Sequence, residues 1–246
     1  TTPIPPSPTR VPSTATVVPP TATPGGTVWS FKTVGTLTSD PILDGGRLYV
    51  ATHQGYIYCL NKENGQKIWK HRADGSIVSV GAISETLVYF VDYSGKLLAL
   101  DTLKGEQKWS FQGSPKSWIS PVVYGKSLFL GGPDGLLYSL DSSTGEMNWK
   151  ANIGTNRIGG GTLNNDLLYV SSSNDHLYKI DPITGHLLSE FDLGNGTYQN
   201  PLILTNKAYV ADWDGHLYAK DTKKGTLTWN IWTSGALRRT PIAQND

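Results

Sequence analysis

Five histidines (His53, His71, His176, His186, His216), one cysteine (Cys59) and a series of aspartates are the groups in this sequence able to hold a metal or move a proton. Such chemistry needs them at particular intervals. Zinc hydrolases place two histidines one helical turn apart around a glutamate, and serine hydrolases set the nucleophile between glycines at a sharp turn. Neither spacing occurs, and no histidine stands two residues before a glutamate. The histidines fall in turns and at strand edges, the ordinary setting of a surface histidine. Cys59 has no partner for an intrachain disulfide. It takes the place of Ala99 and Ala219 in its column and reads as a small packed side chain. No catalytic, cofactor-binding or metal-ligating residue is expected, and no cofactor.

The aspartates belong instead to a ladder. Asn61, Asp101, Asp141, Asp181 and Asp221 step by forty residues, as do Gly65, Gly105, Gly145, Gly185 and Gly225. A third column reads Trp29, Trp69, Trp109, Trp149, Ser189, Trp229. Three locked columns mark a repeat protein. The acidic or amide side chain accepts backbone N–H groups of a turn, and the glycine supplies the positive φ that such a turn requires. Each tryptophan opens the next strand and offers about 200 Å² of apolar surface. Trp29, Trp69, Trp109, Trp149 and Trp229 are therefore expected to dock one unit on the next. Ser189 breaks that column, and Phe191, on the same face two residues later, is placed to cover part of the loss.

Within each repeat the apolar pattern has period two. Leu48-Tyr49-Val50-Ala51, Gly55, then Ile57-Tyr58-Cys59-Leu60 reads as a hairpin, repeated at Val88-Tyr89-Phe90, Leu128-Phe129-Leu130, Leu168-Tyr169-Val170 and Ala208-Tyr209-Val210. Asp134-Gly135 and Asp214-Gly215 suggest primed two-residue turns. A strand near Pro41, Gly81, Pro121, Gly161 and Pro201 precedes each hairpin, and the tryptophan strand follows it. Four antiparallel strands per forty residues predict an all-β fold, a β-propeller of four-stranded blades. Five hairpins are complete. Trp29 then begins an outer strand, and the segment 233–242, around Pro241, an inner strand, of a partial sixth repeat whose middle hairpin is missing; the count suggests truncation from a larger parent ring.

Positions that differ between repeats carry what is individual to each blade. The hairpin-turn column reads His53, Tyr93, Pro133, Ser173, Trp213, and the approach to the inner strand reads Thr38, Val78, Trp118, Ile158, Tyr198, Arg238. In propellers these two loops share a face. Aromatic and arginine residues at exposed loops are the types enriched in binding hot spots. The candidate binding face is therefore His53, Tyr93, Trp118, Arg157, Tyr198, Trp213, Arg238 and Arg239. The competing structural reading has Trp118 and Trp213 plugging a central channel.

Residues 1–26 are a different material, with eight of the fifteen prolines and a single charge, Arg10. Proline at that density favours extended polyproline II over a packed core, so this Thr/Pro-rich stretch reads as a disordered linker or stalk before a propeller domain spanning 27–246. The formal net charge of +1 argues against nucleic-acid partners, which need clustered cations. No apolar run approaches the length of a membrane span.

The run Ala-x-Asp-x-x-x-Gly-x-x-x-Trp, preceded by Leu-Tyr-Val and Gly-x-Leu-Tyr, resembles the pyrroloquinoline-quinone-like β-propeller repeat from residue 28 to about 241. That repeat is found in quinoprotein alcohol dehydrogenases and in BamB-like outer-membrane assembly lipoproteins. The enzymatic branch implies calcium-assisted hydride abstraction by a catalytic aspartate with carboxylate and amide metal ligands, often beneath a vicinal disulfide. One cysteine excludes that disulfide, and most of the aspartates serve the repeat. The chain is accordingly read as no enzyme. It reads as a monomeric, extracytoplasmic interaction module of the cell envelope or surface that binds protein or peptide. A ligand-sensing or glycan-binding ectodomain of a receptor or kinase is the first alternative, and a degenerate quinoprotein dehydrogenase the second.

Overall fold

The structure, a computed structural model, describes residues 27–38, 40–115, 120–154, 156–193, 197, 199–237 and 240–243. Residues 1–26, read as the stalk, lie outside them.

Turn, strand and bulge recur at the forty-residue period and give five four-stranded antiparallel sheets, each in chain order. The first holds β1 (Ile42–Asp44), β2 (Arg47–Ala51), β3 (Tyr56–Asn61) and β4 (Lys67–Arg72). The second holds β5 (Ile77–Ile83), β6 (Leu87–Asp92), β7 (Lys96–Asp101) and β8 (Gln107–Gln112). The third holds β9 (Val122–Tyr124), β10 (Ser127–Gly131), β11 (Leu136–Asp141) and β12 (Met147–Asn152). The fourth holds β13 (Ile158–Asn164), β14 (Leu167–Ser172), β15 (His176–Ile180) and β16 (Leu187–Asp192). The fifth holds β17 (Leu202–Leu204), β18 (Lys207–Ala211), β19 (His216–Asp221) and β20 (Leu227–Trp232). These are the blades of a β-propeller, packed face to face in sequence order through their inner strands. No helix among the described residues is long and apolar enough to cross a membrane.

The turn joining the third and fourth strands of a blade works as its residue types require. In the second blade Asp101 Oδ1 accepts the N–H groups of Leu103 (2.8 Å) and Lys104 (2.9 Å), and Gly105 at φ +71° returns its N–H to the Asp101 carbonyl. Asn61 does the same in the first blade with Glu63 and Asn64. The tryptophan that follows pairs across the ladder with a small side chain, Trp69 with Cys59, Trp109 with Ala99, Trp149 with Ser139 and Trp229 with Ala219. A bulge comes immediately after each of these pairs. Cys59 is fully buried there, and burial pushes its thiol up to about 11.

The hairpin inside each blade differs from the primed two-residue turn that its Asp-Gly pairs suggested. In the first blade Gly55 N–H bonds the Thr52 carbonyl (2.9 Å) and Thr52 N–H bonds Tyr56 (2.8 Å), enclosing three residues. Only the last of them, Gly55, Gly95, Gly135 or Gly215, takes positive φ, and Asp175 (φ +71°) fills that place in the fourth blade. A type I′ turn needs both central residues left-handed, and a type II′ turn the first of them. Asp134 and Asp214 are not left-handed, so the aspartate before the glycine does not make the turn primed.

Hydrophobic cores form between blades, because both faces of the middle strands are apolar. One cluster joins Tyr49, Ile57 and Trp69 of the first blade to Ile77, Val88 and Leu98 of the second. Equivalent clusters join second to third, third to fourth and fourth to fifth. Across each joint the aromatic ring lies on the glycine of the next blade: a Cβ at Gly65, Gly105, Gly145 or Gly185 would sit within 2.7 Å of the ring of Trp29, Trp69, Trp109 or Trp149 respectively. Three of these indoles donate to a carbonyl beside that glycine, Trp29 to Lys62 (2.9 Å), Trp69 to Thr102 (3.0 Å) and Trp149 to Pro182 (3.1 Å). At Trp109 the matching Ser142 carbonyl takes the Tyr89 hydroxyl (2.8 Å) instead, and the buried indole N–H finds no acceptor among the described residues. Where Ser189 replaces tryptophan, Phe191 is buried, and a Cβ at Gly225 would sit 3.2 Å from its ring.

The strands expected at Trp29 and Pro241 do not appear as ladders. Residues 27–33 are held on the first blade by side chains, Trp29 and Phe31 packing against Val50, Tyr58 and Leu60. Residues 240–243 are likewise unladdered. A strand is defined by its neighbour, and among the described residues neither segment has one.

Candidate functional site

In the first, second and fifth blades the hairpin turn is pinned by the residue just before it. Thr52 Oγ1 accepts the Tyr56 N–H (3.1 Å). Asp92 Oδ1 accepts the N–H groups of Ser94 (2.8 Å) and Lys96 (3.0 Å). Asp212 accepts the His216 N–H (2.8 Å) and the Tyr218 hydroxyl (3.0 Å). All three side chains are buried. The third blade has Gly132 at this position, and Asp134 inside the turn supplies the carboxylate, bonding the Leu136 N–H and the Ser114 hydroxyl. These carboxylates are occupied in holding turns, which leaves the turn residues themselves to face outward.

The approach to the inner strand runs beside the turn of its own blade. His53 N–H bonds the Thr36 carbonyl (2.9 Å), Tyr93 N–H bonds Ser76 (2.8 Å) and Ser173 N–H bonds Arg157 (2.9 Å). In these three blades the two loops therefore lie side by side on one face. On it, His53 and Tyr93, forty residues apart, line a single cleft of about 530 Å³ with Thr36, Leu37, Thr38, Gln54 and Val78. Leu37, Val78 and the Tyr93 ring give an apolar wall. His53, Gln54 and the two threonines give hydrogen-bonding groups. Gln54 is braced by accepting the Thr36 N–H (2.9 Å).

Leu37 contributes backbone as well. It pairs with Thr52 in an isolated antiparallel bridge, flanked by bonds from Thr38 N–H to Ala51 (3.2 Å) and from His53 N–H to Thr36 (2.9 Å). In such a pair the central residue's own N–H and carbonyl point away from its partner strand. Leu37 thus offers an unladdered edge at the cleft, half exposed. Neither Leu37 nor Gln54 was singled out from the sequence. Each lies one place from a variable column, and their types are ordinary.

The remaining expected residues are dispersed. Trp213 is 53 % exposed at the turn of the fifth blade and does not line the cleft. Arg157 is half-buried at the fourth. Trp118, Tyr198, Arg238 and Arg239 lie outside the described residues. Among the described residues no three histidine, cysteine, aspartate or glutamate side chains come together as a metal site built from them would require.

A family model described as outer membrane protein assembly factor BamB matches residues 14–161 and 158–245. The chain belongs to this family. A search of curated proteins finds no significant match. Among solved structures, BamB from Moraxella catarrhalis is similar with a TM-score of 0.73 and 21 % identity, over 83 % of this chain and 66 % of that one. A computationally designed protein, Ika8, gives 0.76 at 12 % identity over 85 % and 66 %. The quinohemoprotein alcohol dehydrogenase ADHIIG from Pseudomonas putida HK5 gives 0.71 at 17 % identity over 83 % and 43 %. The chain thus spans less than two thirds of each of these proteins. At such identities the likeness is one of fold, shared by an assembly factor, a design and an enzyme.

Proposed function

We propose that this chain is a non-catalytic interaction module of the cell envelope, outside the cytoplasm, and that its turn face receives an extended protein or peptide segment. One observation carries the reading: the cleft between the first two blades joins the unladdered Leu37 backbone to an apolar wall. An extended peptide bonds such an edge through its main chain and places alternate side chains in the adjoining pocket. A sugar would use the exposed Tyr93 and Trp213 rings but has no need of a strand edge. Membership of a family described as an outer-membrane assembly factor supports both the partner class and the compartment.

The test is a binding screen of the whole chain against an extended-peptide library and a glycan array. Peptide hits are expected, with Leu37→Pro and Tyr93→Ala each weakening them at unchanged melting temperature. Glycan hits alone would refute the peptide reading. Alcohol-dependent dye reduction with added quinone and calcium would refute the non-catalytic one.

A further inference from the structure

The fifth blade carries half of an inter-blade joint. Trp229 stands in the column whose other tryptophans lie on glycines, yet it is 38 % exposed, against 7 % for Trp69. Ile231 is in the column of Phe31, Phe111 and Phe191. Phe31 packs on Tyr58 (5.3 Å between ring centroids) and Phe111 on Tyr138 (5.4 Å), whereas Ile231 is 51 % exposed. Every residue of β20 is exposed. An apolar groove of about 270 Å³ is lined by Leu202, Leu204, Tyr209 and Leu217 of the same blade together with Pro241 and Ile242.

The filled joints show what fits. In the joint between second and third blades, Leu128, Leu130 and Leu140 of the incoming hairpin pack on Tyr89, Leu97 and Ala99. Tyr209, Leu217 and Ala219 occupy the same columns in the fifth blade. The Trp109 ring then covers Gly145, whose φ of +77° brings the turn backbone under the indole.

We propose that this face is a docking site for a β-hairpin of the chain's own repeat class. Its occupant carries apolar residues at the columns of Leu128, Leu130 and Leu140 and a left-handed glycine at the column of Gly145. A side chain at that glycine would enter the indole. A second copy of the chain does not meet the requirement, because Gly65, Gly105, Gly145, Gly185 and Gly225 each already lie against a ring within the copy. The surface and its residues are separate from the cleft at Leu37 and Tyr93, so either reading can fail alone.

The probe is a synthetic hairpin with the sequence of residues 127–149, titrated calorimetrically into the full chain. One-to-one saturable binding is expected, weakened by at least about tenfold, some 1.4 kcal/mol, by Gly145→Val in the peptide or Trp229→Ala in the protein. Because an isolated hairpin is marginally stable in water, the same sequence is also fused directly after Asp246, where the forty-residue period places the column of Ser127. The fusion is expected to raise the melting midpoint and to protect the Trp229 indole N–H from exchange, both effects vanishing with valine in the glycine column. Absence of both peptide binding and a midpoint rise overturns the proposal, as does an effect indifferent to the glycine. Reversible self-association of the parent chain abolished by Trp229→Ala would also overturn it, naming a second copy as the occupant.

Discussion

Two tryptophans of one column, Trp69 and Trp229, share a motif and a ladder position but differ in what lies across from them. Trp69 is 7 % exposed, covers Gly105 and donates to the Thr102 carbonyl at 3.0 Å. Trp229 is 38 % exposed and, among the described residues, pairs its ring within its own blade, with Tyr209 at 5.9 Å. On a side chain of about 250 Å² the difference in exposure is about 80 Å², or about 2 kcal/mol at about 25 cal/mol per Å². The Thr102 hydrogen bond adds about 1 kcal/mol. Trp69→Ala is therefore expected to cost about 4 kcal/mol, within the range for emptying a large aromatic site, and Trp229→Ala about 2–3 kcal/mol less. Urea unfolding followed by far-UV circular dichroism measures both without depending on indole fluorescence. Equal losses at the two positions would refute inter-blade docking as the source of the tryptophan's worth, since their intrablade surroundings match.

Three further outcomes are expected. Hydrogen bonds hold four turn carboxylates below their usual range, chiefly from the backbone N–H of Lys104 at Asp101, Thr184 at Asp181 and Lys224 at Asp221, and from the Ser143 hydroxyl at Asp141. Depressed folded-state values mean stability that is complete above the unfolded carboxylate pKa of about 3.9 and lost as pH falls through the folded values, so the melting temperature should drop below about pH 4. Asp181→Asn, which recreates the Asn61 turn, should flatten that dependence; an unaltered acid profile in variants of all four carboxylates would contradict the assignment. Gly105→Ala places a Cβ 2.5 Å from the Trp69 ring at φ +71°, whereas Gly45 at φ +55° has open space around it; both should pay about 1–3 kcal/mol for the backbone, with a clearly larger loss at Gly105 by denaturation. Phe191→Ala should cost about 3–5 kcal/mol, and Ser189→Trp should bring no gain in melting temperature, because the Phe191 ring already covers Gly225, where an added Cβ would meet it at 3.2 Å.

The repeat was legible in the sequence because a blade is local. The Asp101-to-Gly105 turn, the hairpin that follows Tyr89 and the ladder partner of Trp109 are settled within about twenty residues, and each step of forty repeats the same demands. Even the gap at Ser189 and its cover by Phe191 could be read, since both lie on one strand with period two. The hairpin turn could not. Asp134-Gly135 is compatible with two turn types, and the selection falls to the number of residues that the flanking ladder encloses. The cleft is less legible still. His53 and Tyr93 were visible as departures from their columns, but a column states only that two residues occupy equivalent places in different blades. Their meeting in one cleft depends on how adjacent blades pack, and the rest of its lining includes Leu37, Gln54 and Val78, whose types carry no signal. The two fates of one tryptophan column follow the same division: the sequence places Trp69 and Trp229 identically on their strands, and only the packing of one blade on the next decides which of them is covered, because burial is a property of the neighbour rather than of the residue.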